Sequence, residues 1–144
     1  MWLNNLINGG RLPVLEKVTA FAEARHRVLA ENIANIDTPS YQAKQLDPKL
    51  FQAKLAEAIE ARGDATGEPL RLEGTRQFHT DDQGRLRVTP TLRPPENVLF
   101  HDGTNASIER QMAALAENTL MHRVSIELMQ ERFTSLRKAI AGRL

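Results

Sequence analysis

The 144-residue chain contains no cysteine. That absence excludes a disulfide framework, an iron–sulfur cluster, a Cys-ligated zinc and a thiol nucleophile, and it leaves the redox compartment open. Aromatic residues are scarce, with five Phe, one Trp and one Tyr, which is thin filling for a core. A surplus of one charge is missing as well: 19 Lys and Arg face 18 Asp and Glu, for a formal net charge of +1. No global positive field is available to neutralise phosphates, so nucleic-acid binding of that kind is excluded. Long apolar runs are absent too. Nothing approaches the roughly 20 residues of a membrane span, and direct membrane insertion is not expected. The opening Met1-Trp2-Leu3-Asn4-Asn5-Leu6-Ile7-Asn8-Gly9-Gly10 has neither the basic start nor the apolar run of about 7–15 residues that a secretory signal needs. Export through a cleaved leader is therefore not expected. What is present is an ordinary 41% hydrophobic content in a length that defaults to one domain.

Helix breakers are unevenly distributed. Every proline except Pro13 falls between Pro39 and Pro95, and five of the eight glycines lie between Gly63 and Gly103. Two uninterrupted ends thus flank a punctuated centre. The first end runs from about Pro13, which suits a helix's first turn, to Ile36. Leu15, Val18, Ala22, Arg25, Leu29, Asn32 and Ile36 follow alternating spacings of three and four, a heptad seam that Phe21, Val28 and Ile33 widen. Asp37-Thr38-Pro39 is expected to stop the helix, because proline disfavours α geometry in the residue before it.

The second end carries the stronger pattern. From Ile108, the positions Met112, Leu115, Thr119, His122, Ile126, Met129, Phe133, Leu136 and Ile140 keep the same alternation without a slip. Ser107 is the expected N-cap, the basic residues Arg132, Arg137, Lys138 and Arg143 match the dipole of a helix C-terminus, and Gly142 ends the helix. Leu120, Val124 and Leu128 form a second apolar stripe that also needs a cover. In the centre, Asp47-Pro48 predicts a capped short helix at about 48–61 with Phe51, Leu55 and Ile59 on one face. Thr75–Thr80 and Arg85–Thr89 are expected to pair across Asp81-Asp82-Gln83-Gly84. Gly63–Gly74 reads as loop and Thr91–Asn105 as extended chain.

Catalytic readings find no residues to stand on. No G-x-S-x-G elbow and no phosphate-cradling glycine loop occur. His79 lies near Asp81 and Asp82, and His101 adjoins Asp102, but no HxH or HExxH spacing turns them into a metal site. His122 on an apolar seam reads as a packed or register-setting residue. The five arginines 71, 76, 85, 87 and 93 are opposed by Glu73, Asp81 and Asp82 and read as a solvated surface. No enzyme activity, cofactor or metal is expected. Both ends want an apolar partner, and the core they build is expected to be shared between subunits.

Two segments carry a family resemblance. Leu29-Ala30-Glu31-Asn32-Ile33-Ala34-Asn35-Ile36-Asp37-Thr38-Pro39-Ser40-Tyr41 resembles the N-terminal signature of the bacterial flagellar rod and hook proteins, roughly L-A-x-N-I-A-N-x-x-T-P-G-Y. Met112–Leu120, Phe133–Ile140 and the turn Asp102-Gly103-Thr104-Asn105 are similar to the C-terminal half of the proximal rod members. Ser40 replaces the family's usual glycine, so the turn must either avoid positive φ or accept strain. His122 replaces a frequent aromatic residue.

The resemblance implies a mainly α fold. Long terminal helices form an antiparallel coiled-coil hairpin, and an irregular centre holds one short helix and a small β-hairpin. Residues 1–41 and 107–144 would make one discontinuous helical domain, and 42–106 the loop-rich centre. It further implies a rod subunit that assembles helically into the drive shaft, located in the periplasm after export through the flagellar export apparatus. Its partners would be copies of itself, other flagellar rod proteins, the adaptor to the membrane ring, and the export apparatus. The expected interface comprises Leu15, Val18, Ala22, Leu29, Asn32, Ile33, Asn35, Ile36, Thr38, Pro39 and Tyr41 from the first end. The second end contributes Ile108, Met112, Leu115, Leu120, Ile126, Met129, Phe133, Leu136 and Ile140. Asn32 and Asn35 would act as register pins or turn caps. The residues alone are also compatible with a cytoplasmic helical-hairpin adaptor that binds a partner helix, because both roles need apolar faces.

Overall fold

The computed structural model of the chain describes residues 10–63, 68–94 and 103–142, the side chains of 103–106 excepted. The expectations for residues 1–9, for 64–67 of the loop, for 95–102 with His101, and for Arg143 lie outside the described residues. The elements are α1 (Leu12–Ala34), β1 (Lys44–Gln45), α2 (Pro48–Arg62), β2 (Phe78–Thr80), β3 (Leu86–Val88), β4 (Thr91–Leu92) and α3 (Gly103–Ile140). The chain is mainly helical, with two small antiparallel sheets, β1–β4 and β2–β3.

Local chemistry explains most boundaries. Pro13 sits in the first turn of α1. The α1 helix closes at Ala34, two residues before the expected Ile36, because Asn35 turns the chain and Thr38 N–H bonds back to its carbonyl at 2.9 Å. In α2 the Asp47 carboxylate accepts from the N–H groups of Lys49 and Leu50 at 2.9 and 3.2 Å, with Pro48 at the head of the helix. This is the capped start its sequence predicts. The hairpin pairs Phe78 with Val88 and Thr80 with Leu86. Its tip is organised by Asp81, whose carboxylate accepts from the N–H groups of Gln83 and Arg85.

Two expectations need correcting. The α3 helix begins at Gly103, four residues before the predicted Ser107 cap. Gly103–Asn105 are thus helical, and neither extended nor a separate turn. Nor is the stretch from Thr91 plain extended chain, since Thr91 pairs with Gln45 and Leu92 with Lys44. A two-residue ladder between segments almost fifty positions apart leaves no periodicity to read.

The core also lies elsewhere than the seams suggest. Phe21 of α1 stacks on Phe51 of α2 with centroids 4.1 Å apart, and Phe78 of β2 meets both edge-on at 6.2 and 5.6 Å. Val28, Leu46, Leu55, Ala58, Leu70 and Leu72 complete the cluster. The centre therefore packs on α1 within a single chain, with three of the seven aromatic residues filling its core. Buried Lys17 of α1 adds a strut by donating to the Gly84 carbonyl at the hairpin tip. Burial pushes its ammonium pKa down, opposed by Glu16 and Asp81.

On its other side α1 meets α3. Asn118 Nδ2 donates to the Ala22 carbonyl at 2.8 Å, and the hydroxyls of Thr19 and Ser125 bond at 3.0 Å. Numbers fall along α1 as they rise along α3, so the helices run antiparallel where they touch. The small side chain of Ala22, fully buried, allows that close approach.

Candidate assembly interface

The motif that follows α1 is built around Asn32. Its side-chain amide treats residue 44 as a neighbouring strand would, donating to the Lys44 carbonyl at 2.7 Å and accepting from the Lys44 N–H at 3.0 Å. The same Oδ1 accepts from the Tyr41 hydroxyl at 3.0 Å. Burial pushes the Tyr41 hydroxyl pKa up, helped by the Glu31 carboxylate and opposed by Lys44. Lys44 Nζ in turn pairs with Glu31 at 2.7 Å. Asn35 caps the helix by donating to the Glu31 carbonyl at 2.9 Å and accepting from the Thr38 hydroxyl at 3.3 Å. Asn32 thus pins the chain that follows, and Asn35 shapes the turn. Ser40 takes φ 64°, so the turn accepts the left-handed conformation that glycine would adopt freely.

These contacts place the expected interface residues in different settings. On the first end, Ala22, Leu29 and Asn32 are buried within the chain. Leu15, Val18, Ile33, Asn35, Ile36 and Tyr41 are half-buried, and Thr38 and Pro39 are exposed. On α3, Ile108, Leu115, Ile126, Met129 and Leu136 are half-buried against the rest of the chain. Met112, Leu120, Phe133 and Ile140 stand in solvent, Leu120 with 65% of its surface exposed. Val124 and Leu128 extend the exposed set.

The residues that α3 buries most completely are Gln111, Asn118 and Ser125. They are spaced seven apart and lie one helical position before the predicted Met112–Thr119–Ile126 line. Sequence reading missed them because it follows apolar side chains, and this strip is polar. The available signal was their strict heptad spacing beside small residues such as Ala114. Gln111 Oε1 and Asn118 Oδ1 are buried without a donor. Polar contact inside and apolar surface outside is the reverse of a finished monomer's helix.

No chemistry-bearing cluster competes with this face among the described residues. No three His, Asp or Glu gather where a metal ion would fit. His26 and His122 face one crevice between α1 and α3 together with Glu23 and Arg123, and His79 is exposed beside the hairpin. No described helix is long and apolar enough to cross a membrane.

Comparison with known proteins fits this arrangement. No family model matches the chain. Curated relatives do, over nearly full length. The flagellar basal body rod protein FlgB of Cereibacter sphaeroides is 32% identical over 140 residues, covering 92% of this chain and 94% of the relative. FlgB of Bacillus subtilis is 28% identical over 135 residues, with coverages of 92% and 95%. FlgB of Escherichia coli is 33% identical over 107 residues, covering 73% and 74%. With these matches and its apolar helix face, the chain belongs to the FlgB family of flagellar basal body rod proteins.

Proposed function

We propose that this chain is a structural, non-catalytic subunit that assembles helically through its two terminal helices into the rod, the shaft that transmits torque for motility. The observation that carries the reading is the outward apolar surface of α3 at Met112, Leu120, Val124, Leu128, Phe133 and Ile140. Covering what Leu120, Val124 and Leu128 still expose, about half of each side chain, contributes ~0.7–1.5 kcal/mol each. Bringing two subunits together costs about 4–15 kcal/mol. One such contact therefore does not by itself offset association, whereas a lattice that repeats it on every subunit does so cumulatively. A heterologous contact that does not close into a ring supplies that repetition.

In the assembled state the helices pair as an antiparallel coiled coil whose outer stripe is covered by neighbouring rod subunits. Residues 1–41 and 107–144 act together as the axial unit, and 42–106 ride on its outside. Copies of itself, other rod proteins, the membrane-ring adaptor and the export apparatus are the partners, and the periplasm is the site of action, reached through the flagellar export channel. An exposed apolar helix that is only marginally satisfied within one chain suits passage as an unfolded polypeptide.

Deletion of the gene combined with purification of hook–basal bodies tests the reading. The expected result is a non-motile strain without a rod, and a tagged chain that restores both and co-purifies with basal bodies. A motile deletion strain with the chain soluble in the cytoplasm would reject it and favour a helical-hairpin adaptor.

A further inference from the structure

Between α1, β1 and α3 lies a cleft of about 210 Å³ whose wall includes Arg25, Lys44, Arg93, Arg110 and Gln111 and, among the described residues, contains no acidic side chain. Lys44 is engaged by Glu31, and Arg93 and Arg110 have interactions of their own. Arg25 is different. It is only 8% exposed, yet among the described residues nothing accepts a hydrogen bond from its guanidinium and no carboxylate pairs with it. Glu117 and Asp47 act on it through distance alone. The Arg25 guanidinium nitrogens are not among the fully buried polar atoms, so they open onto the cleft that Arg25 lines, and their planar fork matches the two oxygens of a carboxylate.

A second side chain in the same wall is also unsatisfied. Gln111 is as buried as Arg25, and its Oε1 has no donor. Its Nε2 is not among the fully buried atoms and lines the same cleft as Arg25, so an anion held on Arg25 has an amide N–H donor in the same wall. The two groups come from different helices, which makes the pair a product of the α1–α3 packing.

The geometry points to a carboxylate receptor: the side chain of an Asp or Glu on a neighbouring copy of this chain enters the cleft, forks onto Arg25 and accepts from Gln111. A second copy is the occupant because the exposed α3 face brings copies together, so the inference rests on the assembly reading. The chain itself supplies 18 acidic residues. Charge complementarity then fixes the register that a purely apolar stripe leaves loose.

Two arms test it. In the first, the Gln111 side-chain amide of the dilute full-length chain is followed by ¹⁵N–¹H NMR during titration with sodium acetate, and with sodium chloride at equal ionic strength. A saturable shift with acetate alone is expected, weakened at least tenfold in Arg25→Gln. An equal response to both salts would overturn the receptor. In the second arm, incorporation into purified basal bodies is measured. Arg25→Gln should fall to a tenth or less of the unsubstituted chain, while Arg25→Lys, which keeps the charge, recovers part of it. Full incorporation of Arg25→Gln beside a positive acetate titration would assign the cleft to a free carboxylate and overturn the neighbour as its source. Normal incorporation of Leu120→Asp would instead remove the assembly reading while leaving the acetate result intact.

Discussion

Asn32 shows how one side chain substitutes for a strand. Its amide satisfies both backbone groups of Lys44 and holds the Tyr41 hydroxyl, so the ten residues after α1 are tied back onto it. Replacing Asn32 with Ala strips three hydrogen bonds and leaves the Lys44 peptide without its partner, a cost of ~2–3 kcal/mol. Urea unfolding checks it, and the β1–β4 amides should lose protection first. Ser40 offers the opposite sign. Its left-handed backbone holds about 1–2 kcal/mol of strain, and glycine adds ~0.5–1 kcal/mol of entropy to the unfolded chain. Ser40→Gly should therefore stabilise by roughly 0.5–1 kcal/mol in the same assay. A destabilised Ser40→Gly would show that the turn carries no strain worth relieving.

At the scale of elements, the hairpin and α3 behave differently. The hairpin is organised by a charge. The Asp81 carboxyl is held down to about 2, chiefly by the Arg85 backbone N–H, with the Arg87 guanidinium and the Gln83 N–H assisting against the cost of desolvation. A carboxylate whose folded pKa lies below its ordinary 3.8 contributes stability above that value and loses it as pH falls through the folded pKa. Hydrogen-exchange protection at 78–88, corrected for intrinsic rates, should drop between about pH 4 and pH 2. In Asp81→Asn that pH dependence should flatten. The α3 helix buries Asn118 and Ser125 most deeply against α1, while apolar positions such as Leu115 and Ile126 are only half-buried beside them. Its hydrogen bonds fix register, while its orphaned acceptors limit how tightly it binds. Converting Asn118 to Ala removes the bond to the Ala22 carbonyl and leaves a small cavity, at a cost of about 1–2 kcal/mol, and α3 should open before the Phe cluster does.

For the whole molecule, two different surfaces are built on α1. One side carries the Phe21–Phe51–Phe78 cluster and belongs to the single chain. The other carries α3, which leaves an apolar stripe exposed. Stability and assembly should therefore separate under mutation. Phe51→Ala should cost ~3–5 kcal/mol of folding stability, read by thermal or denaturant unfolding. Leu120→Asp should leave the unfolding midpoint nearly unchanged, because Leu120 is in solvent, yet abolish incorporation into basal bodies and swimming. A strong loss of stability in Leu120→Asp would place that residue in the fold and not at the interface.

The sequence by itself determined the helical ends, the Asp47-capped α2, the hairpin across Asp81–Gly84 and the family motif. These are set by residues within a few positions of one another, where caps, turns and periodicity act directly on the local backbone. The family assignment was legible for the same reason, since its motif is a contiguous turn. Only the tertiary structure decided that Asn32 reaches Lys44, that Thr91–Leu92 returns to Lys44–Gln45, and that three phenylalanines from three elements share one core. It also decided which strip of α3 is buried: the seam rule selects apolar positions, while the contact with α1 selects the small and polar ones that permit close approach and hydrogen bonding. Composition showed few aromatics and no cysteine, and it left open where the core would be. The fold gathers Phe21, Phe51 and Phe78 on one side of α1 and leaves an apolar stripe of α3 exposed.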